Sequence, residues 1–348
     1  MTSRLFITLL IALLLAGAVV AEPWRIAPRE LPPPAGASEE VQALISAAPQ
    51  PDLRSRSVYP IVPAQWRQLQ EARAKQSAIS LEALGQQLGV AITRDEIAGV
   101  ALHRVTPLRD SKAAPGRVFV YIHGGAYVFG GGDAGVREGA LISSLSGIPV
   151  VSVDYRMPPD HPHPAAVNDV TAVYREVLKT YPAGAVAMGG TSAGGGLTLA
   201  AVHQFKRLEL PVPGALYLGT PWTDLTKSSD TLYTNEGIDR VVPTYDGLLA
   251  AAARLYAGDT DLRDPLVSPV YGEFDEFPPT YLVSGTRDIL LSDTVRVHRK
   301  LRVAGVEADL NVYEGLSHAE YAMAGDSPEF RQVYGELVVF LDKHLASN

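Results

Sequence analysis

A serine lies between two glycines in Gly190-Thr191-Ser192-Ala193-Gly194, which matches the pattern G-x-S-x-G. A short apolar run precedes it at 185–188 and helix-forming residues follow it, which predicts a turn from strand to helix. Glycines two positions before and after the serine allow strand and helix to pass closely, because they carry no Cβ. The turn would present the Ser192 hydroxyl as a nucleophile at the positive end of a helix. From this pentapeptide alone, an ordinary Gly/Ser-rich turn is the alternative.

Paired glycines follow another predicted strand. The apolar run Val118–Ile122 leads into His123, Gly124 and Gly125. Glycines leave their backbone N–H groups accessible to a ligand. We therefore expect the N–H groups of Gly124 and Gly125, together with that of Ala193, to hold a developing oxyanion. His123 is predicted to brace this loop rather than to act as a base.

An acid and a base follow two later predicted strands. Asp288 comes after the strand at 281–283, and His318 lies in the loop after the strand at 310–313. Asp293 is the rival acid, but its position predicts the N-cap and first turn of a helix. The candidates thus appear in the chain order Ser192, Asp288, His318, which is the order of an α/β-hydrolase.

The elements that must position these residues alternate between strand and helix. Strands are predicted at 100–105, 118–122, 148–153, 185–188, 215–218, 281–283 and 310–313. Helices are predicted at 38–46, 166–178, 195–208, 248–256, 293–304 and 329–345, and one or two amphipathic helices within 65–88. This alternation predicts an α/β fold, with a mostly parallel twisted sheet covered by helices on both faces. Such sheets bind ligands at the carboxyl ends of their strands, where all the candidate residues fall.

About sixty residues separate the strand ending near 219 from the one starting near 280. This is too long for a simple crossover. We expect a cap insertion at about 222–258 that folds over the sheet edge, together with N-terminal lead-in and cap helices at 22–98. The catalytic domain is then predicted to span 99–348.

Composition excludes several classes of protein. Of the 348 residues, 47% are hydrophobic and 20% are charged, and the net charge is −8, so a nucleic-acid partner is not expected. The chain contains no cysteine, so no disulfide is expected. His161 and His163 lie in a proline-rich turn without enough neighbouring ligands for a metal site. Neither a metal nor a cofactor is expected.

The N-terminal residues resemble a secretory signal peptide. Arg4 precedes a long apolar run, and small residues stand at Val19 and Ala21. An uncleaved membrane anchor is the alternative, but the run is short for a span and no basic cluster follows it. We expect cleavage of residues 1–21, export to the periplasm or medium, and no membrane span in the mature chain.

Longer motifs make the chain resemble the hormone-sensitive-lipase-like family of bacterial esterases, which are α/β-hydrolases with a helical cap. The resemblance covers roughly residue 99 to the C-terminus. It depends on His123-Gly-Gly, on Asp154-Tyr-Arg-Met-Pro-Pro-Asp-His-Pro-His-Pro-Ala-Ala166, on Pro221-Trp-Thr-Asp-Leu225 and on Asp264-Pro-Leu-Val-Ser-Pro269. The chain departs from the family pattern at Ala126, where many members have a third glycine, and at Thr191, where many have Asp.

The resemblance and the residues together predict a serine hydrolase. Ser192 would attack the carbonyl of a small carboxylic ester with a short to medium acyl chain, His318 would act as base and Asp288 would orient it. Lactone hydrolysis and deacetylation use the same residues and remain alternatives. Amide or peptide hydrolysis is chemically possible but has no feature in its favour. A hydrolase fold that binds a ligand without catalysis is an alternative of another class.

Overall fold

The computed structural model describes residues 24–108 and 116–346. By their internal contacts, residues 1–32 and 33–348 form two units. No helix or strand occurs at 24–32, the described part of the first unit. The predicted signal peptide at 1–21 lies outside the described residues and stays a prediction.

The second unit contains an eight-stranded sheet in the order β1-β2-β4-β3-β5-β6-β7-β8. Strands β3 to β8 run parallel to one another, and β2 is antiparallel to both of its neighbours, β1 and β4. The strands are β1 Val90–Ile97, β2 Val100–Pro107, β3 Val118–Ile122, β4 Val150–Val153, β5 Val186–Thr191, β6 Ala215–Gly219, β7 Thr280–Gly285 and β8 Ala308–Tyr313.

Helices cover both faces of the sheet. They are α1 Glu39–Ala47, α2 Pro63–Gln76, α3 Leu81–Leu88, α4 Arg137–Ser146, α5 Ala165–Val177, α6 Ala193–Arg207, α7 Thr231–Thr234, α8 Leu248–Ala257, α9 Leu291–Val303 and α10 Pro328–His344. Apolar residues of α5, α6, α8 and α9 belong to the core on one face, and those of α1, α3, α4 and α10 to the core on the other. Alternate residues of β3 enter the two cores, with Val120 on one face and Phe119 on the other. Burial on both faces explains why the parallel strands are continuous apolar runs.

The predicted fold class is confirmed, but β1, α4 and the one-turn helix α7 were missed. Strand β1 forms a hairpin with β2 through Ala98 and Gly99, whose φ angles are 52° and 78°. Its outer half is polar and exposed, so it shows no apolar alternation. Helix α4 was also missed, because small and hydroxylated residues such as Gly139 and Ser143 form much of its buried face. The hairpin turn lies at the predicted domain boundary of 98/99, and that boundary stays a prediction.

The long segment between β6 and β7 carries α7 and α8. It is tied to the sheet domain through Asp224, a fully buried carboxylate that accepts a hydrogen bond from Arg296 of α9 at 2.6 Å. That this segment acts as a cap or lid stays a prediction. Among the described residues, no helix is both long and apolar enough to cross a bilayer.

Candidate active site

Ser192 occupies the turn between β5 and α6 in a strained backbone conformation, with φ 61° and ψ −123°. Two hydrogen bonds to the end of the neighbouring strand hold it there. The N–H of Ser192 donates to the carbonyl of Gly219 at 2.8 Å, and its carbonyl accepts from the N–H of Trp222 at 2.9 Å. Such conformations persist only where the surroundings fix them, and both peptide groups of this residue are fixed.

The two flanking glycines are required by close backbone contact. A Cβ on Gly190 would lie 1.9 Å from the carbonyl oxygen of Ile122, and one on Gly194 would lie 2.0 Å from the same atom. Both distances are far inside van der Waals contact. The end of β3 therefore packs directly against the strand and the helix on either side of Ser192.

The structure brings Ser192, His318 and Asp288 together, although they come from three different loops. Nε2 of His318 lies 2.9 Å from Oγ of Ser192, and Nδ1 lies 3.1 Å from Oδ1 of Asp288. Burial of His318 opposes its charged form, but the carboxylates of Asp288, Asp239 and Asp293, with Asp288 contributing most, together raise the pKa of His318 above its usual value. The three groups form a continuous hydrogen-bonded chain from carboxylate to hydroxyl.

Asp288 is fully buried and held on both oxygens. Oδ2 accepts from the hydroxyl of Ser284 at 2.7 Å, and Oδ1 accepts from the N–H of Leu290 at 2.9 Å. The rival Asp293 lies in the first turn of α9, where its carboxylate accepts from the N–H groups of Thr223 and Asp224. Burial raises the pKa of Asp293 to about 7. Its hydrogen bonds connect α9 to the start of the insertion and not to His318.

Gly124 and Gly125 line the same cavity as Ser192, and Ala193 follows Ser192 in the chain. A Cβ on Gly124 would be 3.3 Å from Cβ of Ser192, which shows how near this glycine comes to the serine. Gly125 has φ +110°, and a Cβ there would lie 2.2 Å from the carbonyl oxygen of Phe129. Ala193 is the first residue of α6. Within the described residues, none of the N–H groups of Gly124, Gly125 and Ala193 donates a hydrogen bond to a protein acceptor.

His123 supports the glycine loop. Its Nδ1 lies 2.7 Å from the carbonyl oxygen of Gly124, and its ring stacks on that of Tyr155 with centroids 4.1 Å apart. Burial lowers the pKa of His123, so the ring is neutral at pH 7. These contacts are those of a bracing residue, and no reacting atom is among them.

A cavity of about 570 Å³ opens onto Ser192 and His318. Its walls are largely apolar and include Val242 and Leu249 of the insertion. A second cavity of about 670 Å³ also borders the glycine loop. The two share wall residues, among them Gly124, Gly125, Arg73, Phe129, Glu138 and Met323. A substrate at Ser192 therefore has a largely apolar cavity beside the reacting atoms.

A polar cluster behind the nucleophile turn was not found from the sequence. Glu138 accepts hydrogen bonds from Thr191 at 2.9 Å, Tyr217 at 2.7 Å and Tyr334 at 3.1 Å on one oxygen, and from Tyr121 at 2.8 Å on the other. These donors come from β5, β6, α10 and β3. No local motif marks such a cluster, because its members are distant in the chain.

Asp239, in the insertion, was also missed. It is fully buried, and its carboxylate accepts from the N–H of His318 at 3.1 Å. The sequence signal for it is weak, since Gly237-Ile-Asp-Arg240 resembles any polar loop. In the described part of the chain, no group of three His, Cys, Asp or Glu side chains is arranged to hold a metal ion.

Comparison with known proteins agrees with this geometry. Residues 119–322 match the family model described as alpha/beta hydrolase fold. The chain is similar to the crystal structure of an esterase E25, with 45% identity, a TM-score of 0.88 and coverage of 93% of this chain and 99% of that one. It is also similar to an esterase from the bacterial hormone-sensitive lipase family, with 29% identity, a TM-score of 0.73 and coverage of 89% and 99%. An acetyl-hydrolase of Streptomyces hygroscopicus is 30% identical over 65% of this chain and 75% of its own length.

Proposed function

Because this chain belongs to the α/β-hydrolase family, among the esterases related to bacterial hormone-sensitive lipase, we propose that it hydrolyses carboxylic esters through Ser192, His318 and Asp288. The observation that carries this proposal is the unbroken chain of hydrogen bonds from Asp288 through His318 to Ser192. Related proteins described as esterases and acetyl-hydrolases support the same class of reaction.

In the proposed first half-reaction, Oγ of Ser192 attacks the ester carbonyl carbon while Nε2 of His318 takes the hydroxyl proton. The carbonyl oxygen becomes an oxyanion, which accepts hydrogen bonds from the N–H groups of Gly124, Gly125 and Ala193. Each such donor typically contributes about 3–4 kcal/mol to lowering the barrier. Asp288 holds the imidazole in one orientation and stabilises its protonated form.

Collapse of the tetrahedral intermediate breaks the bond to the alcohol oxygen. His318 returns its proton to that oxygen, and the alcohol leaves an acyl-Ser192 intermediate. Water then attacks the acyl carbon, again losing a proton to His318, and the acid is released with Ser192 restored. In each half-reaction His318 accepts one proton and gives one back, so the enzyme ends in its starting state.

The proposed substrates are small esters with short to medium acyl chains. The apolar walls of the cavity of about 570 Å³ suit such chains. Because one relative is described as an acetyl-hydrolase, acetyl esters should be among the substrates tested. A panel of p-nitrophenyl esters from acetate to dodecanoate, with a set of lactones beside it, would determine the chain-length preference and whether cyclic esters are accepted.

The direct test of the function is Ser192→Ala. We expect kcat with p-nitrophenyl butyrate to fall on the order of 10⁴–10⁶-fold in a folded protein. Ser46→Ala, at an exposed position on α1, is the matched control and should retain wild-type activity. Phenylmethanesulfonyl fluoride should add one covalent group to the wild type and none to S192A. Activity of S192A within tenfold of wild type would remove Ser192 from this role.

Export of the mature chain after Ala21 is proposed from the sequence alone. N-terminal sequencing of the protein recovered from the periplasm and the medium of the expressing bacterium tests it. We expect Glu22 as the first residue, and an intact Met1 on an extracted membrane fraction would overturn the proposal.

A further inference from the structure

Asp239 lies in the insertion between β6 and β7 and is fully buried. Its carboxylate accepts four backbone hydrogen bonds. Oδ1 accepts from Val241 at 2.8 Å and Val242 at 2.9 Å, and Oδ2 accepts from Ile289 at 2.8 Å and His318 at 3.1 Å. A carboxylate offers about four acceptor positions, so all of them are occupied by N–H donors.

A buried carboxylate with four N–H partners is a strong structural constraint. Burial raises the pKa of Asp239 to about 6, so the group is ionised at the pH where the neutral His318 base would work. Hydrogen bonds to a charged acceptor are shorter and stronger than those between neutral groups. Removing the acceptor would leave four donors without this partner, and the cost is greatest for the N–H groups of Ile289 and His318, whose hydrogen bonds are buried.

Two of these donors belong to the proposed acid and base. Ile289 directly follows Asp288, and the other N–H is that of His318 itself. Asp288 and His318 follow different strands, β7 and β8. One oxygen of Asp239 therefore sets the separation of the two loops across which the Nδ1 to Oδ1 contact of 3.1 Å is made.

A second side chain of the same segment acts on the same loop. Nδ2 of Asn235 donates to the carbonyl oxygen of Asp288 at 2.8 Å and to that of Thr286 at 3.2 Å. The segment thus contacts the backbone of the Asp288 loop at two peptide groups, the one after Thr286 and the one between Asp288 and Ile289. These contacts hold the backbone and leave the carboxylate of Asp288 free to face His318.

The other oxygen of Asp239 faces the substrate cavity wall. Val241 and Val242, whose N–H groups bind Oδ1, line the cavity that contains Ser192. The same carboxylate therefore connects the wall that a substrate would touch with the backbone of the residues that would transfer its proton.

We propose that Asp239 is a positioning residue for the hydrolytic reaction, which fixes the backbone of Asp288 and His318 relative to each other and to the insertion. This inference rests on the proposed function. Asp239 touches no reacting atom and acts only through the residues that do. Displacements of about 1 Å in such groups typically reduce rates on the order of 10²-fold.

The proposal has an electrostatic signature that a purely structural role would not show. His318 faces two carboxylates in direct contact with its loop, Asp288 and Asp239, with the buried Asp293 further away. Each of these anions favours the protonated imidazole. Removing the charge of Asp239 should therefore move the acid limb of the kcat/KM profile to lower pH.

The test compares Asp239→Asn with Asp230→Asn, which removes an exposed carboxylate of the same insertion. For D239N we expect kcat with p-nitrophenyl butyrate to fall on the order of 10²-fold and KM to change by less than about threefold. The acid limb should shift to lower pH. D230N should match the wild type in all three quantities. Circular dichroism at the assay temperature establishes that each variant is folded.

A folded D239N with kcat within threefold of wild type, or with an unmoved acid limb, would overturn the proposal. If D239N does not fold, Asp239→Glu replaces it, because it keeps the anion and displaces it by one methylene. D239E should lose at least tenfold in kcat and keep the wild-type acid limb, and full activity of D239E would contradict the proposal. Failure of the proposed function is distinguishable, since wild-type protein would then show no hydrolysis beyond that of S192A.

Discussion

The hydroxyl of Thr191, the residue before Ser192, lies 2.9 Å from Oε1 of Glu138 and donates to it. The same hydroxyl lies 3.0 Å from that of Tyr321, which follows His318 by three residues. The cluster around Glu138 thus reaches the backbone on both the nucleophile side and the base side of the site. With a carboxylate at 138, a hydroxyl donor is the side chain that suits position 191.

Replacing this donor by an acid should destabilise the protein. Thr191→Asp would set two carboxylates against each other in a cluster whose donors to Glu138, among the described residues, are all hydroxyl groups. We expect a loss of at least about 2 kcal/mol, which corresponds to about 3 °C in Tm for a chain of this length. Thermal unfolding followed by circular dichroism measures it. Thr191→Ser keeps the hydroxyl and should stay within about 2 °C of wild type.

The double variant T191D/E138Q isolates the cause of that loss. With an amide at 138, the new carboxylate gains a donor and loses the opposing charge. The decrease in Tm relative to wild type should therefore be at most half of that caused by T191D alone. A T191D protein as stable as the wild type, or a double variant no better than T191D, would show that charge repulsion with Glu138 is not responsible.

The glycine at 194 should tolerate no side chain. Gly194→Ala would place a methyl group 2.0 Å from the carbonyl oxygen of Ile122, so β3 or α6 must shift. We expect loss of hydrolysis by at least 10²-fold with lowered Tm, because a shift of about 1 Å at Ser192 is enough for that rate loss. The assays are p-nitrophenyl butyrate turnover and thermal unfolding.

Gly335→Ala is the matched control for that change. Gly335 lies within α10 and is exposed, and a Cβ at this position would have no neighbouring heavy atom within 4 Å. Alanine is favoured over glycine in a helix interior by about 0.5–1 kcal/mol, so this variant should be active and slightly more stable. Equal effects of the two substitutions would contradict the packing argument.

The pH dependence of hydrolysis should reflect His318. The neutral imidazole acts as base, and the pKa of His318 is raised above 6.5 in the folded protein. Activity should therefore fall as the pH drops through an apparent pKa above 6.5, which the acid limb of kcat/KM reports for the free enzyme. A limb below 6.5 in the wild type would contradict this assignment.

Asp288→Asn should change both the position of that limb and the rate. Burial alone would lower the pKa of His318, and the Asp288 carboxylate is the main cause that raises it. The limb should thus move below its wild-type position, and kcat should fall on the order of 10⁴-fold because the imidazole loses its correct tautomer. Asp326→Asn, at an exposed loop position, should change neither.

His203 should make the fold sensitive to acid. It is buried against Phe274 and Phe277, its Nε2 lies 3.1 Å from the carbonyl oxygen of Pro269, and burial lowers its pKa to about 4. Lys206, Arg207 and Lys300 act in the same direction. The unfolded chain takes up this proton near pH 6.5 and the folded chain does not. Stability is therefore lost as the pH falls from 6.5 towards 4, and is fully present above 6.5.

Urea unfolding at pH 7.0 and 4.5 measures that contribution. We expect it to be about 2–3 kcal/mol in the wild type. His203→Gln keeps a donor for the Pro269 carbonyl but does not titrate. Between pH 7.0 and 4.5, the free energy of unfolding of this variant should therefore fall by about 2–3 kcal/mol less than that of the wild type. An identical fall in both proteins would remove His203 from the acid response.

The sequence by itself determined the fold class and the order of the candidate residues. The reason is that these features are local: continuous apolar runs mark buried parallel strands, and Ser192, Asp288 and His318 each lie in the turn or loop after one. Glycines at 190 and 194 indicate that another part of the backbone packs closely against them, but the sequence does not show which part. The structure identifies it as the carbonyl group of Ile122.

Only the tertiary structure decided which distant groups support those residues. The partners of Glu138 include Tyr334, 196 positions away, and those of Asp239 include His318, 79 positions away. A carboxylate surrounded by hydroxyl or N–H donors has no periodicity and no spacing rule, because its donors are assembled by packing of separate strands and helices. Strand β1 escaped prediction for a related reason, since its exposed half is paired through backbone hydrogen bonds that any side chains allow.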